Sequence, residues 1–207
     1  MSRPTLRADR LAKHFALAAQ IAAACLTASS AGAVVARQVD LVIPADANGL
    51  YLNLETGHSS GNAFEGCDFN AYGNPYCNIW SAPSWGTGYV DLAYGGPSGY
   101  TNLPVGMGID HSLYFAESIG TYPQGSEPFQ WSLNSMGFIG IRFVASDNLT
   151  HYGWVAIQFG NTDSDRRIVA YAYESVAGQG IVVGAIPAPG AIVFLGAAGL
   201  VGKGRRR

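Results

Sequence analysis

The chain has 207 residues, 12 Lys and Arg against 14 Asp and Glu, and three cysteines. Removing the two apolar, basic ends leaves about 150 residues, enough for one domain with a proper core. Its charge is lopsided: residues 34–186 hold four arginines, no lysine and thirteen acids, a net charge of −9. That balance excludes nucleic acid and anionic lipid surfaces as partners of the domain, because binding to either rests on Lys and Arg neutralising phosphate.

In chain order, Arg3, Arg7, Arg10 and Lys13 form a basic leader. An apolar stretch over 15–26 follows, and then the small residues Ala31-Gly32-Ala33. These are the three parts of a secretory signal, with cleavage expected after Ala33. A retained membrane helix is disfavoured by the short, small-residue core. A lipid anchor on Cys25 is disfavoured by Ala22-Ala23-Ala24, which lacks the large aliphatic residue usual before such a cysteine.

Between residues 34 and 186 no 3.6-residue periodicity is sustained, and short alternating segments separated by turn residues predict an all-β domain. Early strands are expected at 36–43 and 50–54, with fainter ones at 89–94 and 129–133. Residues 56–111 carry eleven glycines and read as mostly loop. Within them, Cys67 and Cys77 are the only cysteines left after export. An oxidising compartment predicts a disulfide across their turn-rich loop, a closure of about 2–3 kcal/mol on the chain-entropy account.

The clearest pattern lies at 138–144, 151–159 and 168–175, three consecutive antiparallel strands, with a fourth at 180–184 leading to the tail. Alternation places Ile139, Ile141, Phe143, Val155, Ile157, Phe159, Val169, Tyr171 and Tyr173 on a core face. Arg142, Tyr152, Trp154, Ala156, Ala170, Ala172 and Glu174 fall on the other face. The fold class expected is an antiparallel β-sandwich, jelly-roll-like in one form. It is flanked by an N-terminal signal helix (1–33) and a C-terminal apolar helix (185–207), with the domain at 34–184.

At the end of the chain, Pro187-Ala188-Pro189 precede an uncharged run at 190–202 and then Lys203-Gly204-Arg205-Arg206-Arg207. Residues 187–202 would span about 24 Å as a helix, short of the ~30 Å hydrocarbon core. Basic residues at both ends favour the cytoplasmic side, which predicts a hairpin-like intermediate with the domain outside. This order resembles the PEP-CTERM sorting signal of exopolysaccharide-producing Gram-negative bacteria, with Ala188 standing where glutamate is usual. The resemblance implies a signal peptidase and an exosortase as processing partners and a cell-surface or matrix destination, with exopolysaccharide as a further partner. The sequences Gly-Ile-Arg-Phe at 140–143, His-Tyr-Gly-Trp-Val at 151–155 and Ala-Tyr-Ala-Tyr-Glu at 170–174 resemble a recurrent β-domain of exported bacterial proteins. That resemblance extends to residues 50–57 and 67–70 and implies no activity.

Candidate chemistry is sparse. His151-Tyr152-Gly153-Trp154 concentrates a titratable ring and two aromatics, but no partner for a general base is visible and no Gly-x-Ser-x-Gly elbow occurs. His151 is read as opening a strand, with Gly153 letting a neighbouring side chain approach and Trp154 packing. Arg142 is expected beside Trp154 and near Glu174, a cation–π contact with a charge partner. Asp163-Ser164-Asp165 reads as a polar turn, lacking the Gly and Glu of a calcium loop. Paired carboxylates such as Glu65 and Asp68 could be drawn as a glycosidase acid and nucleophile, a reading that needs a measured separation. Asn148-Leu149-Thr150 matches a glycosylation sequon and reads as a turn. No catalytic set, metal or cofactor is predicted. Trp80, Trp85 and Trp154 are candidate ligand-binding aromatics, because an aromatic face can stack a sugar ring; Trp131 is read as core. The leading expectation is a non-enzymatic exported surface protein. A glycan-binding module comes second and a hydrolase beneath the 56–111 loops third.

Overall fold

The computed structural model describes residues 33–92, 101–123 and 130–186. The signal segment, Cys25, the sorting motif Pro187-Ala188-Pro189 and the apolar tail therefore lie outside the described residues.

The described chain is all-β, built of antiparallel sheets, and its one helix is a 3₁₀ turn at Pro83–Trp85. Among the described residues no helix is long and apolar enough to cross a membrane. The strands are β1 (Val34–Val42), β2 (Leu50–Leu52), β3 (Ser59–Ser60), β4 (Phe69–Tyr72), β5 (Asn78–Trp80), β6 (Gly88–Val90) and β7 (Gly108–Ile109). Then follow β8 (Phe115–Ala116), β9 (Ser118–Gly120), β10 (Met136–Val144), β11 (Thr150–Phe159), β12 (Arg166–Glu174) and β13 (Ile181–Val182). A six-stranded sheet runs β1-β12-β11-β10-β6-β8, a five-stranded sheet runs β3-β2-β4-β5-β9, and β13 pairs with β7.

Residues of both larger sheets share one buried cluster, consistent with a β-sandwich. The five-stranded sheet supplies Leu50, Leu52, Phe69, Ala71, Ile79 and Ile119. The six-stranded sheet supplies Ile139, Ile141, Phe143, Val155, Ile157, Phe159, Ile168 and Tyr171. Burial of one such large apolar side chain is worth about 1.5–3 kcal/mol, so this interface holds the fold. The period of two put all but one of the predicted core residues here. The exception is Val169, which packs in a second cluster on the opposite face. The cause is a β-bulge: β12 pairs Ala170 with Ala156 but Ile168 with Ile157, so one extra residue is inserted and the alternation slips. β1 carries a matching irregularity between Gln38 and Leu41.

The second cluster covers the other face of the large sheet. Phe138, Tyr152, Trp154, Ala156 and Ala172 meet Val90, Leu103, Ile109, Ile181 and Val183 there. Gly153 does meet a close neighbour, but not the expected one: a Cβ there would stand 2.6 Å from the Ala172 carbonyl oxygen on β12. The carbonyl of a neighbouring strand, not a side chain, needs the space.

Several expected elements shift. The strand expected at 180–184 is shortened to β13 and joins β7 rather than continuing the β10–β12 meander. At 129–133 only an isolated bridge from Trp131 to Pro123 forms among the described residues. The reading of 56–111 as mostly loop overlooks β3, β4, β5 and β7, while β6 overlaps the start of the strand expected at 89–94.

The disulfide is corrected too. Cys67 and Cys77 are both buried, free thiols. The register explains why: Tyr72 pairs with Asn78, so the β4–β5 hairpin turns through 73–77. Cys77 sits by that turn, whereas Cys67 precedes the far end of β4. Cys67 lies before β4, whose three steps from Phe69 to Tyr72 alone span about 10 Å, beyond the ~7 Å Cα separation that a disulfide tolerates. Burial raises both thiol pKa values. The native protein is therefore expected to leave both cysteines unreactive toward a thiol reagent such as DTNB, and denaturant to expose both. A native preparation missing two titratable thiols after denaturation would contradict this arrangement.

Candidate functional site

The outer face of the five-stranded sheet gathers half-buried aromatic side chains and the amides of Asn70 and Asn78. Leu50 and Leu52 point into the core, so Tyr51 between them points out. The same alternation turns Asn70 outward on β4, and Asn78 and Trp80 outward on β5. The ladder then aligns them: Ser60 pairs with Tyr51, Tyr51 with Asn70, Asn70 with Trp80, and Trp80 with Ser118. One row crosses all five strands.

Trp85 completes it. The 3₁₀ turn that carries Trp85 ends at Gly86, whose φ of 68° is left-handed. A Cβ at Gly86 would lie 2.6 Å from Val144 Cγ2, so the position needs glycine twice over. The turn sets the Trp85 ring 5.5 Å from Trp80 and 6.3 Å from Tyr51, at interplanar angles of 63° and 72°. Tyr51 and Trp80 stand on strands flanking β4, about 10 Å apart at normal strand spacing. Trp85 therefore bridges the gap between them on the Asn70 side of the sheet. All three rings are half-buried. Asn70 is 2% exposed. Its Nδ2 donates to the Asn48 carbonyl at 3.0 Å and the Leu50 carbonyl at 3.3 Å. No donor among the described residues reaches its Oδ1. A second rung, Tyr72–Asn78–Gly120, lies beside the row. Over it Tyr122 donates its hydroxyl proton to Asn78 Oδ1 at 2.8 Å.

The third predicted aromatic, Trp154, is elsewhere. It is 2% exposed, on the opposite face of the other sheet, stacked edge-on with Phe138 at 5.5 Å. With Gln38, Met136, Phe138, Val169 and Ala170 it lines a shallow groove of about 420 Å³. Its indole Nε1 is buried and has no hydrogen-bond partner.

The titratable candidates are occupied by structure. His151 is 3% exposed. Its Nδ1 lies 2.8 Å from the Glu174 carbonyl oxygen, and its Nε2 lies 3.1 Å from Asp147 Oδ2. The partner that sequence could not name is thus Asp147, four residues back in the β10–β11 turn. That carboxylate also accepts the Leu149 N–H at 2.8 Å, which lowers its pKa. Asn148 sits in this turn with φ 62°. Arg142 lies over Phe115, 5.1 Å from the ring centroid, rather than over Trp154. The buried Glu174 accepts the Val176 N–H at 3.0 Å.

Asp68 is buried and Glu65 exposed. Asp68 Oδ2 accepts the Leu54 N–H at 2.8 Å, and the acid whose charge acts on it is Glu55, not Glu65. Asp163-Ser164-Asp165 forms the turn before β12, where the Asp165 N–H donates to the Thr162 carbonyl at 3.0 Å. Among the described residues no three His, Cys, Asp or Glu side chains cluster as a metal site would require.

Comparison with protein-family models, curated proteins and solved structures finds no match. The site therefore rests on its own geometry. Sequence reasoning marked Trp80 and Trp85 but missed Tyr51 and Asn70. The Leu-Tyr-Leu alternation at 50–52 carries the signal for Tyr51. Asn70 was hidden because 68–76 reads as turn by composition.

Proposed function

We propose that this chain is an exported cell-surface or extracellular-matrix protein that performs no catalysis. In this reading it is a β-sandwich between a signal helix and an apolar, PEP-CTERM-like tail, released or displayed after a signal peptidase and an exosortase-type enzyme have acted. The observation that carries it is the charge pattern: two apolar, positively flanked ends enclose a domain of net charge −9, and basic flanks favour the cytoplasmic side. The engagement of His151 and Asp68 in main-chain hydrogen bonds supports the non-enzymatic part, since a general base needs a free nitrogen or oxygen within reach of a substrate proton. Cell fractionation with an epitope inserted in the domain tests the reading. Recovery in the outer envelope or medium, at an intact mass lacking residues 1–33, is expected; purely cytoplasmic recovery at full mass overturns it.

The aromatic row favours a second reading, a module that binds the exopolysaccharide among which such a protein would sit.

A further inference from the structure

We propose that the Tyr51–Trp85–Trp80 row, with Asn70 between its ends, is a binding site for single, soluble chains of an uncharged hexose polymer. The inference rests on the binding-module reading and gives it a place and a ligand class.

Three observations carry it. The first is the rings. A pyranose presents apolar C–H faces edged by hydroxyls, and it stacks on an aromatic face while its rim hydrogen-bonds to nearby polar groups. Trp80 and Tyr51 stand on one sheet face with Trp85 between them, and none of the three lies in either buried cluster. Their half-exposure is not needed to complete the core.

The second is Asn70. Among the described residues the buried side-chain atoms without a partner are Thr87 Oγ1, Trp154 Nε1, Arg166 Nε and the Tyr171 hydroxyl, so Asn70 Oδ1, which accepts no hydrogen bond from the described residues, is the end of the amide that keeps contact with solvent. Asn70 spends its NH₂ group on the Asn48 and Leu50 carbonyls, which fixes the amide and orients Oδ1. Oδ1 has no donor among the described residues, in the row that Tyr51 and Trp80 flank. An acceptor held rigidly between stacking rings is what a sugar hydroxyl requires.

The third is charge. A uronate or sulfated polymer would need cations, and the domain has four arginines. Arg37 donates to the Glu55 carbonyl, Arg142 covers Phe115, Arg166 is buried among carbonyls, and Arg167 pairs with Asp40. All four are engaged away from the row, and the surrounding net charge is negative. The site suits an uncharged glycan.

The ring angles narrow the ligand further. A crystalline polysaccharide surface is flat and calls for coplanar rings. Here Trp85 stands at 63° and 72° to its neighbours, so the three rings form a cradle rather than a plane. Such a shape grips a single chain from two sides.

The test is affinity electrophoresis of the full chain, kept in a polyoxyethylene detergent that carries no sugar. Native gels contain hydroxyethyl cellulose, galactomannan or alginate, and a parallel assay measures co-sedimentation with microcrystalline cellulose. Retardation by at least one of the two uncharged polymers is expected, with none by alginate and no co-sedimentation. Trp80→Ala and Trp85→Ala should each weaken retardation at least tenfold, and Trp80→Phe by no more than about threefold. Ser118→Arg, at an exposed position on the edge strand, should block the row without disturbing the core and also weaken binding at least tenfold. Trp154→Phe should bind as the parent does. No retardation by either uncharged polymer overturns the proposal. So does equal retardation by alginate, or binding unchanged in Ser118→Arg and the alanine variants. The two readings fail separately: cytoplasmic recovery ends export and leaves the gel result standing, whereas an unretarded protein ends the glycan site and leaves export untouched.

Discussion

Replacing Arg166 with methionine is expected to destabilise the domain by about 4 kcal/mol. Arg166 opens β12 and is 2% exposed. Its Nη1 donates to the Pro75 carbonyl at 2.9 Å and the Asp163 carbonyl at 3.1 Å. Its Nη2 donates to the Pro44 carbonyl at 3.2 Å and to the Gly73 carbonyl. One guanidinium thereby fastens the β1–β2 connection, the β4–β5 turn and the β11–β12 turn at one end of the domain.

The physical reason for a large effect is the identity of the partners. A buried ion pair can often be exchanged for hydrophobes of similar volume at little cost, because both charges leave together. Main-chain carbonyls cannot be removed by mutating a side chain. Methionine would fill the space and leave four acceptors unpaired, each costing about 1–3 kcal/mol where water does not replace the donor. Lysine should recover only part of this, because its three protons radiate from one atom and do not match the planar fork. An expected order of Arg, Lys, Met in urea midpoint follows, with slopes unchanged. A loss below 1 kcal/mol for methionine would mean that the three loops hold without their shared donor.

Sequence patterning and the structure agree best where a strand is long and has one apolar face. The β10–β12 meander was legible almost residue by residue, because nine or ten alternating positions leave little choice of register. Its one error, Val169, arose at a bulge, and a bulge changes pairing without leaving a compositional mark. The five-stranded sheet was far less legible. β2, β4, β5 and β9 are three or four residues long, and β4 reads Phe-Asn-Ala-Tyr beside Gly and Pro. Four residues give only two on each face, too few to distinguish alternation from a turn. Their strand state comes from tertiary pairing, where Phe69, Ala71 and Ile79 meet the long meander across the core. The candidate site inherits that limit. Two of its tryptophans were visible because tryptophan in a Pro- and Gly-rich stretch stands out. Tyr51 and Asn70 join them only through cross-strand register, and the disulfide expectation failed through the same missing register.

Asp68 supplies the second large effect, and its sign runs opposite to that of a salt-bridged carboxylate. Burial raises its pKa from 3.8 to about 7, with the Leu54 N–H pulling downward and Glu55 adding to the rise. Between about pH 4 and 7 the folded protein therefore holds a proton that the unfolded chain releases. Stability from this group is full below the unfolded value and is lost as pH rises through the folded one. Three pKa units correspond to about 4 kcal/mol between those limits. Asp68→Asn should remove that dependence while keeping an oxygen to accept the Leu54 N–H. Urea unfolding of parent and variant at pH 4, 6 and 8 measures it. The variant should be close to the parent at pH 4 and gain on it steadily to pH 8, where it is expected to be the more stable by several kcal/mol. A difference that stays constant across the three pH values would place Asp68 in ordinary contact with water. The same experiment bears on function, because a carboxyl half-protonated near neutrality suits general acid–base work only if a substrate can reach it. Here one of its oxygens accepts a main-chain N–H and the residue is 5% exposed. The raised pKa follows from the burial of Asp68 where it accepts the Leu54 N–H.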